Sequence, residues 1–432
     1  MHIKHWFFIL LSFYSVQAFA ISPIQHWQTS QGGRVYFVRS AGLPMLDMRL
    51  VFAAGSARDG KQEGLAALTA RLFATGAGQW GADELARQFD DVGARFSYDL
   101  NQDYAWLGLR TLTQAELMPQ ALAAFQQLVT RPRFAEDEFA RIKAQVKIEL
   151  QQRQEQPGFV AKRAFYRALY GSHPYAHLKE GTPQSIADMT RADVRHFYQK
   201  YYVAQNAILV LVGDIPKAQA QQIAEHLFAN LKQGHQAQAL PKVPALRQGQ
   251  VQQIDFSSSQ THILAGLPVL SRKDADYFPL YVGNYILGGS GLVSRLFDEI
   301  REKRGLAYSA YSYFSPLAEA GPFTIGLQTQ NKQRDLAIRV LKQTVREFIE
   351  KGPSHLALRA AQKNLTGGFV LRFDNNKKLL NYIAMIAFYQ LPLDYLDTFQ
   401  EQVARVTRAQ IQAAFQRRVN LDLLQIISVG GQ

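Results

Sequence analysis

Two stretches hold the residue types best able to do chemistry. The first is GSARDGKQEGLAALTARLFATG, residues 55–76, a helix-forming segment with no histidine and a single glutamate, Glu63. The second is NYILGGSGLVSRLFDEIREKRGLAYSAYS, residues 284–312. There a glycine cluster is expected to open a helix with a basic end, after which Gly305 turns the chain into an aromatic-rich strand. GGSG is neither a G-x-G-x-x-G turn after a βαβ strand nor a Walker loop. Ser290 has Gly288 before it but Leu292 where a nucleophile elbow requires glycine. The chain has no cysteine, which excludes thiol catalysis, disulfides and Cys-ligated zinc. Of its ten histidines only His173 and His177 stand four apart. Pro174 between them breaks any ligand helix, and Glu180 adds only a loose third member, so the segment reads as a structural loop. No local signature of a serine triad is present.

These stretches must be positioned by a sizeable scaffold. The 432 residues are 47% hydrophobic and 19% charged, ordinary for a globular chain and enough for more than one core. Residues 1–20 combine a basic start, an apolar run from Trp6 to Val16, and Ala18 and Ala20 in an A-x-A-like site. That pattern predicts a cleaved secretory signal with Ile21 opening the mature protein, hence export, periplasmic in a Gram-negative cell. The apolar run is short for a span, and no later stretch of about 20 apolar residues follows. The net charge of +13 comes from scattered basic residues, as in RPRF and REKR, with no interleaved aromatics. A solvated basic surface is expected, with no nucleic-acid partner.

The chain also repeats itself. MTRADVRHFYQKYYVAQNAILVLVGD, residues 189–214, aligns without a gap on VTRAQIQAAFQRRVNLDLLQIISVGG, residues 406–431, at an offset of 217 (407 − 190). Each copy runs Thr cap, helix, apolar strand, Val-Gly. The expected organisation is a signal peptide at 1–20, a first half at 21–230, a Gln/Pro/Ala-rich linker at 231–253 and a second half at 254–432. RVYFVRS and LDMRLVFAAGS alternate as half-buried strands, and RFSYDLNQDYAWLGLRTLT reads as a hairpin. AELMPQALAAFQQLVT and EDEFARIKAQVKIELQQRQEQ carry helical periodicity. The fold class predicted is α+β, two homologous α/β sandwich halves, each a mainly antiparallel sheet packed with helices.

SRLFDEIREKRGLAYS resembles the C-terminal homology domain of the pitrilysin/insulinase superfamily, which includes the mitochondrial processing peptidases. The resemblance spans almost the whole mature chain, taking in residues 55–76, HPYAHLKEGTPQSI at 173–186 and the Val-Gly strand ends. It implies that an arginine and a tyrosine seven residues later, here Arg301 and Tyr308, contact peptide substrate and help stabilise the reacting carbonyl. The family's H-x-x-E-H motif places two histidines on one helix face to ligate zinc, with a glutamate to activate water. Aligned without a gap over residues 64–76, it puts Ala67, Ala70 and Arg71 at the three catalytic positions. Alanine has no lone pair to give, and a guanidinium would repel a dication. The family's remaining zinc ligand corresponds to Glu149 in VKIELQQ, which Arg71 is expected to pair with, plugging the former site.

The resemblance thus implies no metal and no catalysis by this chain alone. It implies zinc on a homologous peptidase partner carrying H-x-x-E-H, with peptide or unfolded protein as shared substrate. A non-proteolytic scaffold or peptide-binding protein, like the family's respiratory-complex core subunits, is the alternative.

Overall fold

The first sheet contains β1 (Gln25–Gln28), β2 (Arg34–Arg39), β3 (Met45–Phe52), β4 (Arg95–Leu100), β5 (Ala105–Leu112) and β6 (Ala207–Gly213); β2 and β3, expected to be half-buried, are instead buried almost throughout, because both faces of the sheet are covered. The second contains β7 (Gln250–Ile254), β8 (Gln260–Leu270), β9 (Ala307–Phe314), β10 (Gly321–Gln330) and β11 (Gln425–Val429). The structure is a computed structural model that describes residues 22–431, so the expected signal segment lies outside the described residues.

Strand order is β1-β2-β6-β3-β5-β4 in one sheet and β7-β11-β8-β10-β9 in the other. Only β2 with β6, and β7 with β11, run parallel. Apart from β1 the two orders superpose strand for strand, the parallel pair included. The 217-residue offset appears at atomic level too. Thr190 caps the helix Arg191–Tyr201 through a capping box with Asp193, and Thr407 caps Arg408–Arg418 through one with Gln410. Each helix then leads into an interior strand of its sheet, β6 or β11, the one that pairs in parallel with its neighbour.

The helices used below are α1 (Leu65–Leu72), α2 (Met118–Thr130), α3 (Glu136–Gln154), α4 (Pro157–Tyr170), α5 (Arg191–Tyr201), α6 (Asn376–Tyr389) and α7 (Arg408–Arg418). On one face of the first sheet, Leu46, Met48, Leu50 and Phe52 of β3 pack with Leu65, Leu68 and Leu72 of α1 and Phe125 of α2. The opposite face is covered from the other half: Val51, Ile208, Val210 and Val212 share a core with Leu379, Ile383 and Ile386 of α6. The exchange is mutual, since Phe165 and Leu169 of α4 pack with Ile427 and Val429 of β11. The two sandwiches are therefore interlocked. Every residue of β6 is buried, which requires a cover on both faces. Helical periodicity shows that α4 and α6 have an apolar stripe, but not which sheet receives it.

The connection between the halves differs from expectation at its end. Gln250–Ile254 is strand β7, paired with β11 in register from Gln425↔Gln250 to Val429↔Ile254. Its sequence QVQQI is almost wholly exposed, so it lacks the apolar alternation that marks a strand in sequence. Across the junction, buried Asp103 accepts hydrogen bonds from Tyr175 Oη (2.5 Å), Tyr389 Oη (2.8 Å) and the Ala318 amide (2.8 Å).

Candidate functional site: a plugged cleft and an exposed Arg/Tyr pair

The start of α1 is set by a buried carboxylate. Asp59 accepts from the Gly64 amide (2.7 Å) and the Ala66 amide (2.8 Å), while Gly64 takes the left-handed φ of 98° that turns the chain into the helix. Burial pushes the Asp59 carboxyl up to about 8, although the two amides pull the other way. Leu65, Leu68 and Leu72 then anchor α1 in the core.

Ala67 and Arg71, one turn apart, face a cleft of about 260 Å³ with Tyr98 of β4, and Glu149 and Arg153 of α3. Arg71 Nη1 donates to Glu149 Oε1 (3.1 Å) and Nη2 to Oε2 (2.8 Å), a two-pronged ion pair. Gln145 Nε2 also donates to Glu149 Oε1 (3.1 Å). The hydrogen bond to Arg71 is the main reason that the Glu149 carboxyl is held below its ordinary value, and in return it raises the Arg71 guanidinium. Other carboxylates at the cleft are paired as well, Glu180 with Arg153 (3.2 Å) and Asp99 with Lys179 (2.9 Å).

Ala70 is placed differently from Ala67. It is 1% exposed and packs in the core behind the helix, because position 70 lies about 60° around the axis from position 67. The donor set does not fit zinc: two alanines offer no ligand, and Arg71 and Gln145 occupy the carboxylate. Among the described residues, no group of three His, Cys, Asp or Glu side chains is placed to hold a metal ion.

His173 and His177 have separate duties. His173 is buried; its Nδ1 accepts from the Tyr175 amide (3.1 Å), which leaves Nε2 to donate to the Pro241 carbonyl (2.9 Å) and fasten the linker. His177 Nε2 lies 3.7 Å from Glu63 Oε1, while Glu180 is engaged by Arg153.

In the second half, Ser294 rather than the glycine cluster caps the motif helix, accepting from the Phe297 amide (3.3 Å). Gly288 instead permits close packing, since a Cβ there would collide with Ser312 Oγ. Arg301 lies in a wide helical turn, Asp298–Glu302, and Gly305 at φ +61° redirects the chain into β9. The Arg301 guanidinium is 5.3 Å from the Tyr308 ring centroid and 4.8 Å from that of Phe297. Its Nη1 donates to Glu302 Oε1 (3.1 Å). Tyr308 is 83% exposed, so it is not a packed strand residue. Neither residue lines the α1 cleft.

Sequence reasoning missed Asp59 and Asp103. Asp59 could have been found as an acidic residue five positions before Gly64, the glycine that starts the helix. Asp103 gives no local signal, because its partners are up to 286 residues away.

Residues 35–182 match the family described as Insulinase (Peptidase family M16), and residues 188–365 match Peptidase M16 inactive domain. A crystal structure of a peptidase M16 inactive domain from Pseudomonas fluorescens is 35% identical, with a TM-score of 0.91 over 95% of this chain and 98% of that one. A Helicobacter pylori protein named Non-peptidase homolog YmxG is 27% identical over 90% of each chain. The periplasmic protease PqqL from Escherichia coli shares the fold, with a TM-score of 0.80 at 15% identity, over 96% of this chain and 46% of that one. With that similarity, the chain belongs to peptidase family M16, and at the positions of the family's zinc motif its donor set does not fit zinc.

Proposed function

We propose that this chain is the non-zinc-binding subunit of an exported two-chain metallopeptidase. A homologous partner carries H-x-x-E-H and its zinc, and this chain contributes Arg301, Tyr308 and half of the chamber that holds a peptide or unfolded protein. The observation that carries the reading is the contrast between the two sites. Arg71 and Glu149 neutralise each other in the cleft at the degenerate motif, whereas Arg301 and Tyr308 stand together at the surface with a tyrosine 83% exposed. An aromatic ring left in water beside a guanidinium has little packing role of its own and is free to meet a substrate. Strand β9, which begins at Ala307, is an edge strand with Tyr311 and Tyr313 also partly exposed. An edge strand can offer backbone groups to an extended peptide, here away from Ser312, whose carbonyl already accepts from Asn284 Nδ2 (3.0 Å). The signal-like residues 1–20 and the likeness to a periplasmic protease support export.

The test is steady-state peptide cleavage by the co-purified pair. Arg301→Ala or Tyr308→Phe should lower turnover by about 10²- to 10³-fold, the usual effect of losing one donor to a developing oxyanion, with assembly and zinc content unchanged. The scaffold reading is favoured by the Arg301–Glu302 bond and by the name of the Helicobacter relative. It expects unchanged turnover, or no catalytic partner at all, and either result overturns the proposal.

A further inference from the structure

A cavity of about 410 Å³ lies at the junction of the halves, beside the linker. Four cations line it: Arg34 of β2, Arg58 in the turn after β3, and Arg272 and Lys273 just past β8. Two carboxylates, Asp103 and Glu319, also line it, and both are already engaged. Asp103 accepts from two tyrosines and an amide, and Glu319 pairs with Lys242 at 3.2 Å. Among the described residues none of the four cations forms an ion pair, and the buried Nε atoms of Arg58 and Arg272 have no hydrogen-bond partner. The Arg272 guanidinium lies over the faces of Tyr389 (5.3 Å) and Tyr277 (5.8 Å). Burial lowers both Arg34 and Arg58 from the ordinary arginine value.

A guanidinium without a counterion is left uncompensated where solvent is restricted, and the lining brings together two such arginines, Arg58 and Arg272, from opposite halves. The lining charge, four cations against two carboxylates, leaves two positive charges unmatched. The volume falls in the range of about 300–1,000 Å³ typical of small-molecule sites. Guanidinium forks match the oxygens of a tetrahedral oxyanion.

We propose that this cavity binds a compact phosphate-class dianion, gripped between Arg58 of the first half and Arg272 of the second. Bound there, the anion bridges the halves and the linker segment 236–240, stiffening a stretch that has neither helix nor strand. The site is independent of the proposed peptidase role and is tested without a partner chain or peptide.

Calorimetric titration of the purified chain with inorganic phosphate, and separately with pyrophosphate, at fixed ionic strength should show saturable 1:1 binding with Kd below about 1 mM. Acetate should bind at least about tenfold more weakly. Arg58→Gln and Arg272→Gln should each weaken phosphate binding about tenfold or more, the usual cost of a charge-assisted bond. Lys273→Gln should weaken it as well, and since Lys273 is exposed its variant will fold even where the arginine variants do not. Hydrogen exchange of residues 236–240 should slow when phosphate is added. Lys363→Gln, at an exposed position outside the cavity, should change nothing. The proposal is overturned by an absence of saturable binding, by equal binding of acetate, or by an equal effect of Lys363→Gln, which would mean a diffuse basic surface.

Discussion

The Arg71–Glu149 pair allows a quantitative test of the plug. In a double-mutant cycle with Arg71→Met and Glu149→Gln, the two bonds at 3.1 and 2.8 Å set an upper range. Unit charges about 4 Å apart interact by about 1 kcal/mol in water and about 4 kcal/mol at a protein surface. The side chains are 33% and 34% exposed, so solvent screens much of that. A coupling of about 1 kcal/mol is expected, at the top of the range for surface pairs and well below the 3–5 kcal/mol of a broken buried pair. Because Arg71 holds the Glu149 carboxyl below its ordinary value, this stabilisation is present above the unfolded glutamate value, about 4.3, and disappears as pH falls through the lower folded value. Denaturant melts of the four proteins at pH 7, and again near pH 3, measure both quantities. A coupling within about 0.3 kcal/mol of zero at pH 7, or one that survives unchanged at pH 3, would refute the plug.

Two other outcomes follow from α1. The double variant Ala67→His, Arg71→His should gain zinc through the two histidines and Glu149, measured by elemental analysis and by a zinc-dependent rise in Tm; no gain at micromolar zinc would show that Glu149 does not face the pair. Adding Ala70→Glu should cost several kcal/mol in denaturant melts, because position 70 is 1% exposed and a carboxylate there is both oversized and desolvated; an equally stable triple variant contradicts that placement. For Asp59, a folded value raised from 3.8 to about 8 means that its contribution is fully present below about pH 4 and is lost as pH rises towards 8. Wild-type stability should therefore fall across pH 5–8 relative to Asp59→Asn, by at most about 1.4 kcal/mol per pH unit; parallel curves would show that Asp59 is ionised throughout.

What the sequence made legible was local. β2, β3 and the β4–β5 hairpin followed from period-two patterning, and Thr190 and Thr407 followed from cap chemistry that acts within one turn. Arg71 and Glu149 could be paired across 78 residues because a family motif supplied the spacing and opposite charge supplied the reason. Where recognition depends on partners assembled by the fold, the signal vanishes. Arg34, Arg58, Arg272 and Lys273 share a cavity but no spacing. Ala67 and Ala70 read alike as letters, yet one faces the cleft and the other the core. QVQQI becomes a strand only because β11 lies alongside it.

The same distinction explains why α1 persists after its motif has degenerated. A ligand histidine on a cleft-facing position can become alanine or arginine at small cost, since that face is open and an arginine there gains a carboxylate. The inward positions have no such freedom. Leu65, Leu68 and Leu72 fill the core beneath β3, where removing one large aliphatic side chain costs about 2–5 kcal/mol, and Asp59 satisfies two amides at the helix start. Selection on folding alone therefore keeps the helix, with a small alanine at buried position 70, and releases the cleft-facing positions 67 and 71. The pattern of loss is informative on that account. Arg301 and Tyr308 lie on an outer face as well, where folding asks little of an 83% exposed tyrosine, so their substitution should leave stability nearly unchanged and any fall in turnover would report the proposed contact with substrate.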